Sequence, residues 1–135
     1  MIYFAHPVSD YGTVHEAACL AAIEAAFSPP DVEVRIYNPN SPEGSRGYRD
    51  GGMRYFEGII GTCSALVYRP FGDGMIGAGV ACEIACAIGL GIPVHELVET
   101  TRGRLVLVPV VALNASRALD VEQTRARLVG RRTAA

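Results

Sequence analysis

Apolar and polar positions follow two different periods along this chain, and the switches between them mark its elements. Ile2 to Ala5 is a continuous apolar run, the length of a strand buried on both faces, and Pro7 closes it. Thr13-Val-His-Glu16 has capping-box spacing, and Ala17, Ala18, Leu20, Ala21, Ile23 and Phe27 then recur at helical spacing until Pro29 and Pro30 stop the segment. From Val32 to Tyr37, Val32, Val34 and Ile36 alternate with Glu33, Arg35 and Tyr37, which predicts a half-exposed strand near a sheet edge. Residues 38–52 are polar and carry Gly44, Gly47, Gly51 and Gly52 beside Arg46, Tyr48, Arg49 and Asp50. That stretch reads as a long loop, of the kind that forms lids or binding segments.

The helical period returns from about Met53 to Cys63, with Met53, Phe56, Ile59, Ile60 and Cys63 on one face. Ala65 to Tyr68 then reads as a central strand, and a glycine-rich turn separates it from a helix over Ala78 to Leu90. Past Pro93 comes a short strand, Val94 to Leu97, and Arg104 to Leu113 reads as a last buried strand. Asp120 to Val129 is an amphipathic helix with a frayed end from Arg131 to Ala135. Five strands alternating with helices predict an α/β fold of three layers: a five-stranded, mostly parallel sheet with helices on both faces. Ligands of such sheets sit beyond the carboxyl ends of the strands, where the direction of connection reverses. The loops to watch are therefore 5–13, 38–52 and 69–79.

Composition narrows the classes. A chain of 135 residues, half of them hydrophobic, reads as one domain over residues 1–135 with a real core. Its 12 basic residues, all arginine, face 14 acidic ones for a net charge of −2, so no basic surplus exists to neutralise a nucleic-acid backbone. Cys19, Cys63, Cys82 and Cys86 lack C-x-x-C spacing and read as small buried side chains in a reducing compartment. Cys82 and Cys86 would share a helix face, but no third and fourth metal ligand stands near them in sequence, so no metal is expected. The amino terminus has neither the basic region nor the apolar run of a signal peptide, and no stretch approaches the ~20 apolar residues of a membrane span. The expectation is a cytoplasmic protein without a membrane or nucleic-acid partner.

The densest chemistry lies between Tyr68 and Glu83. Gly72-Asp-Gly-Met-Ile-Gly77 matches the G-x-G-x-x-G pattern between a strand and a helix, with Glu96 downstream as a conceivable ribose partner. That fingerprint normally follows the first strand of its fold, and here it follows the third. Glu83 falls in the first two turns of an otherwise apolar helix, where a carboxylate is expensive unless used; an ordinary exposed helix residue is the alternative. In the first loop His6, Ser9, Asp10 and Thr13 are in reach of a ligand at the strand end, although Asp10 and Thr13 could equally cap and turn the chain. Arg46, Arg49 and Arg69 are possible phosphate ligands, and His15 and His95 read as structural.

Ile2-Tyr-Phe-Ala5, Met53-Arg-Tyr-Phe-Glu-Gly-Ile-Ile-Gly-Thr-Cys-Ser-Ala-Leu-Val67 and Gly79-Val-Ala-Cys-Glu-Ile84 together resemble the nucleoside 2-deoxyribosyltransferase superfamily, which includes the transferases and the related nucleoside 5′-monophosphate N-glycosidases. The likeness spans about residues 1 to 98, and its most specific part is the Gly-x-x-x-Glu placement ending at Glu83. It implies a Rossmann-like fold in which Glu83 attacks C1′ of the sugar, expels the base and forms a glycosyl-enzyme ester. It also implies that Tyr3 orients the Glu83 carboxylate, that no cofactor is needed, and that a neighbour in a homo-oligomer completes the site. Helix 78–90 and the Arg104 to Leu113 region are the candidate contacts. Members commonly carry an acid at the start of the third strand, where this chain has Ser64, and Asp or Ser at the position of Gly77. Asp73 or Asp10 are then the carboxylates available to help the base leave.

The expected function is thus cleavage of the N-glycosidic bond of a nucleoside or nucleoside 5′-monophosphate, by transfer or hydrolysis. Glu83, Asp73 and Tyr3 are the catalytic candidates, with His6, Ser9, Asp10, Thr13, Arg69, Gly77 and Gly79 around the substrate. A binding module for a nucleotide derivative on the same fold, with Glu83 only hydrogen-bonding a ribose, is the alternative, and dinucleotide binding through Gly72 to Gly77 is the third.

Overall fold

A computed structural model describes residues 1–29 and 33–134, with side chains as far as Val129. Pro30, Val32 and Ala135 lie outside the described residues. Five strands, β1 (Ile2–Ala5), β2 (Ile36–Tyr37), β3 (Ala65–Tyr68), β4 (Val94–Glu99) and β5 (Leu105–Val110), form one sheet in the order β2-β1-β3-β4-β5. The first four are mutually parallel, with Ile2 opposite Ile36 and Ala65, and Leu66 opposite Val94. The chain leaves β1 toward one edge and returns through β3 to build toward the other, so the direction of connection reverses between β1 and β3.

Strand parity divides the core. Tyr3, Ala5, Leu66 and Tyr68 point to the face covered by α3 (Met53–Ile60) and α4 (Ala78–Gly89), where they meet Phe56, Ile60, Val80 and Ile84. Ile2, Phe4, Ala65 and Val67 point the opposite way, against Cys19 and Ile23 of α1 (Val14–Phe27). Helices therefore cover both faces, as the α/β pattern predicts. On α1 only Glu16, Cys19 and Ile23 are buried, and Ala17, Ala18 and Ala21 are exposed.

Three expectations need correction. The stretch 38–52 is not a loop: α2 (Pro42–Gly51) occupies most of it, with Pro42 in the first turn and the Ser41 hydroxyl accepting from the Gly44 amide at 3.0 Å. Its glycines serve close packing, since a Cβ on Gly47 would stand 2.2 Å from the Tyr55 ring of α3 and one on Gly44 2.3 Å from the Pro39 carbonyl oxygen. Second, β5 is not a buried strand, since none of its residues is fully buried. It returns antiparallel beside β4, with Glu99 opposite Leu105, through a turn at Thr100 to Arg104 in which Gly103 takes φ +78°. No helix crosses over there, so β5 is an edge strand and Val108 is 43% exposed. Third, the last helix, α5 (Val121–Ala134), continues through the segment expected to fray.

The segment before α5 fastens the glycine-rich turn after β3. Ile76 bridges to Ala118, and Arg117 donates to both carboxylate oxygens of Glu96 at 2.8 and 2.9 Å and to the Gly74 carbonyl at 2.8 Å. Tyr68 also donates to Glu96, at 2.6 Å. Glu96 is thus committed to Arg117 and Tyr68, which removes it as a ribose partner. Among the described residues no helix is long and apolar enough to cross a membrane.

Candidate active site

At the reversal between β1 and β3 the sheet opens into a cavity of about 240 Å³, and all three loop regions flagged in the sequence contribute to it. His6, Pro7, Val8 and Tyr11 come from the segment after β1, and Pro39, Gly44, Ser45 and Tyr48 from α2 and its approach. Met53 and Phe56 of α3, Phe71 after β3, and Gly77, Gly79, Val80 and Glu83 at the start of α4 line it as well. Thr124 and Leu128 of α5 complete the lining. Its walls are largely apolar and aromatic, with Tyr48 stacked on Phe56 at 5.8 Å between ring centroids.

Glu83 is the ionisable group that this setting perturbs most informatively. Its side chain issues from the second turn of α4 into the cavity and is 7% exposed. The Tyr3 hydroxyl, wholly buried behind it on β1, donates to its Oε2. Burial pushes the Glu83 carboxyl up to about 7, against the opposing pull of the Tyr3 hydrogen bond. The same burial and the adjacent carboxylate push the Tyr3 phenol far up, so Tyr3 acts only as a donor. Tyr3 is itself held by stacking on Tyr37, at 5.6 Å, and by the edge of Phe56.

The His6 ring lies flat on Phe4, its centroid 3.9 Å away, and its side chain is fully buried. Nε2 donates to Glu16 at 2.7 Å, and Nδ1 stands 3.2 Å from the Phe4 carbonyl oxygen. Burial lowers the His6 pKa against the pull of Glu16, which leaves a neutral ring at pH 7. Glu16 also accepts from the Gly12 amide at 3.2 Å and from Asn40 Nδ2 at 3.0 Å. The predicted capping box is half formed: the Thr13 hydroxyl accepts from the Glu16 amide, while the Glu16 carboxylate reaches Gly12 in place of the Thr13 amide. His6 therefore lines the cavity as a positioned wall with its polar edge already spent.

The remaining sequence candidates divide plainly. Gly77 and Gly79 line the cavity; a Cβ on Gly77 would stand 3.4 Å from Phe71 and Thr124, whereas one on Gly79 meets nothing within 4 Å. Ser9, Asp10 and Thr13 are not in the lining: Thr13 is an exposed cap whose hydroxyl donates to the Asp10 carbonyl. Asp73 is also outside it, and 52% of its side chain is exposed. Arg127 grips it at 2.7 and 2.9 Å and, with the Met75 amide, lowers its carboxyl to about 2. A carboxyl so held stays ionised at neutral pH and has no proton to give to a leaving base. Arg69 turns to the opposite face of the sheet, where it donates to His15, the Leu97 carbonyl and Glu99. Arg46 and Arg49 are exposed on α2 outside the lining. Of the glycines in the 72–77 pattern only Gly77 reaches the cavity.

Tyr11, Tyr48, Phe56, Phe71 and Thr124 are cavity residues that sequence reasoning did not single out as ligand contacts. Thr124 is the most distant in sequence, and its hydroxyl accepts from the Ala78 amide at the start of α4 at 2.9 Å. Nothing local in the sequence signals that contact. Cys82 donates to Glu57 at 3.7 Å, and among the described residues no group of three or more His, Cys, Asp or Glu side chains gathers as a metal site would require. In comparisons with known proteins, no family model matches this chain and no curated protein matches its sequence.

Proposed function

We propose that the protein cleaves the N-glycosidic bond of a nucleoside or nucleoside 5′-monophosphate, most simply a 2′-deoxy one, with Glu83 as nucleophile. The observation that carries this reading is a buried carboxylate, poised near neutrality and aimed by Tyr3, in a mostly apolar cavity at the switch point of the sheet. A Glu83 carboxylate oxygen forms a bond to C1′ as the C1′–N bond breaks, its electron pair leaving with the base. Water or a second base then attacks C1′ of the glycosyl ester and releases the carboxylate. The aromatic wall of Tyr48, Phe56 and Phe71 offers stacking surface for a planar base. A cavity of about 240 Å³ suits one nucleoside and is small for a dinucleotide. The reaction so drawn calls on no metal or organic cofactor. A homo-oligomer, in which a neighbour approaches the open side of the cavity, belongs to the same proposal.

Free-base release from a panel of ribo- and deoxyribonucleosides and their 5′-monophosphates, with and without an acceptor base, tests it. Release should rise with pH to a midpoint near 7 as Glu83 ionises, vanish in Glu83→Gln, and move to a higher midpoint in Tyr3→Phe, which loses the donor that stabilises the anion. No release from any panel member, with thermal stabilisation by one of them, identifies a binding module instead.

Gly79 gives an independent check on where the ligand sits. Its Cβ would point into open space within the lining, and glycine in a helix costs roughly 0.5–1 kcal/mol against alanine. Gly79→Ala should therefore raise the stability measured by urea titration by about that amount. Gly79→Leu should leave the Tm unchanged or higher while weakening nucleoside binding at least about tenfold. Unaltered binding in Gly79→Leu would move the ligand elsewhere.

A further inference from the structure

Expulsion of a base from C1′ leaves negative charge on the base, and the proposed reaction needs a donor to meet it. The carboxylate first suspected, Asp73, is bound to Arg127 outside the cavity lining. Of the polar side chains that line it, His6 is spent on Glu16, Thr124 on the Ala78 amide and the Asp120 carbonyl, and Ser45 and Tyr48 are exposed on α2. Tyr11 is different. Its ring is fixed by packing at 4.9 Å from the His6 ring, and its hydroxyl makes no hydrogen bond with any described residue. It comes from the loop after β1, a different part of the wall from the α4 turn that presents Glu83. Attack at C1′ requires carboxylate and base on opposite sides of that carbon, so the donor to the base must come from an element other than α4.

We propose that the Tyr11 hydroxyl is the hydrogen-bond donor to the departing base. This rests on the glycosyl-cleavage reading of the same cavity. Burial, and after it the charges of Glu83 and Glu16, raise the Tyr11 pKa, so the hydroxyl is protonated at every working pH. It donates a hydrogen bond and keeps its proton. In hydrolysis one water supplies the remainder of the balance, its hydroxide to C1′ and its proton to the base.

The test is the dependence on the leaving group in Tyr11→Phe, which preserves the ring that packs on His6. Two probes suffice: 2′-deoxyguanosine, whose base leaves as an anion, and N7-methyl-2′-deoxyguanosine, whose cationic base leaves neutral. The expected result is a fall in kcat of about 10²-fold on the first, with KM changed less than about threefold, and a fall of less than about threefold on the second. Retained turnover of the methylated probe also demonstrates a folded site. Equal losses on both probes, or no loss on either, would overturn the assignment of Tyr11 while leaving Glu83 in place. Wild-type protein that releases no base from these probes or from any member of the nucleoside and nucleotide panel, or Glu83→Gln that releases base as fast, would overturn the glycosyl reading itself and the role of Tyr11 with it.

Discussion

Glu83→Gln is expected to melt about 5–10 °C above the wild type at pH 8 while losing base release by at least about 10³-fold. The two effects have one origin. In the unfolded chain the carboxyl titrates near its ordinary value of 4.5, and in the folded protein burial holds it up near 7. A raised folded pKa favours folding while the group is protonated in both states, and that advantage is lost as pH climbs through the folded value. Wild-type stability should therefore fall between about pH 4.5 and 7 on account of Glu83 and level off above. Each unit of difference is worth 1.36 kcal/mol, so the ionised carboxylate costs on the order of 3 kcal/mol at pH 8. Glutamine fills the same space, still accepts from the Tyr3 hydroxyl and carries no charge, so it escapes the penalty. It cannot attack C1′. Thermal melts of both proteins at pH 4.5 and pH 8 check this: the gap should open with pH, and a gap equal at the two values would mean that burial of Glu83 is not costly. Stability surrendered at a site that needs a destabilised anion is the expected signature of a functional group.

Much of this site is legible in the sequence because a doubly wound sheet leaves few choices. Once the order of elements indicates parallel strands, the ligand belongs at the carboxyl ends near the reversal, and segments 5–13, 38–52 and 69–79 all reach the cavity. An acidic residue in the apolar start of α4 could then only be exposed or used, and Glu83 is buried against Tyr3. What was not legible depends on contacts distant along the chain. Asp73 looks available until Arg127, 54 residues later, closes on it. Glycines at 44 and 47 look like flexibility until Pro39 and the Tyr55 ring are seen against them. Arg69 was recoverable by parity alone: it follows Tyr68, whose side chain joins the α4 face, so Arg69 must turn to the α1 face and away from the cavity. The hairpin to β5 was recoverable too, since Thr101-Arg-Gly103 is too short for a crossover helix.

The largest loss of stability from a single polar side chain is expected at Glu16. Only 9% of this side chain is exposed, yet it accepts from His6, the Gly12 amide and Asn40, and so ties the segment after β1, the turn into α1 and the approach to α2 at one carboxylate. Burial alone would raise its pKa; the His6, Gly12 and Asn40 hydrogen bonds outweigh that and hold it below 4.5. Glu16→Ala strands the His6 N–H and the Asn40 amide without an acceptor, and should cost about 3 kcal/mol in urea unfolding at pH 7. Glu16→Gln keeps one acceptor oxygen and should cost roughly 1 kcal/mol. A lowered folded pKa contributes stability that is full above the unfolded value and lost as pH falls through the folded one, so the difference between wild type and Glu16→Gln should shrink as pH falls below 4.5. A cost for Glu16→Gln that stays constant from pH 7 to pH 3.5 would assign its role to shape rather than charge. The functional consequence follows from position. His6 and Tyr11 stand on the segment that Glu16 fastens, so Glu16→Gln should also raise KM before it lowers kcat, by loosening the wall that meets the base while Glu83 and Tyr3, on other elements, stay aligned.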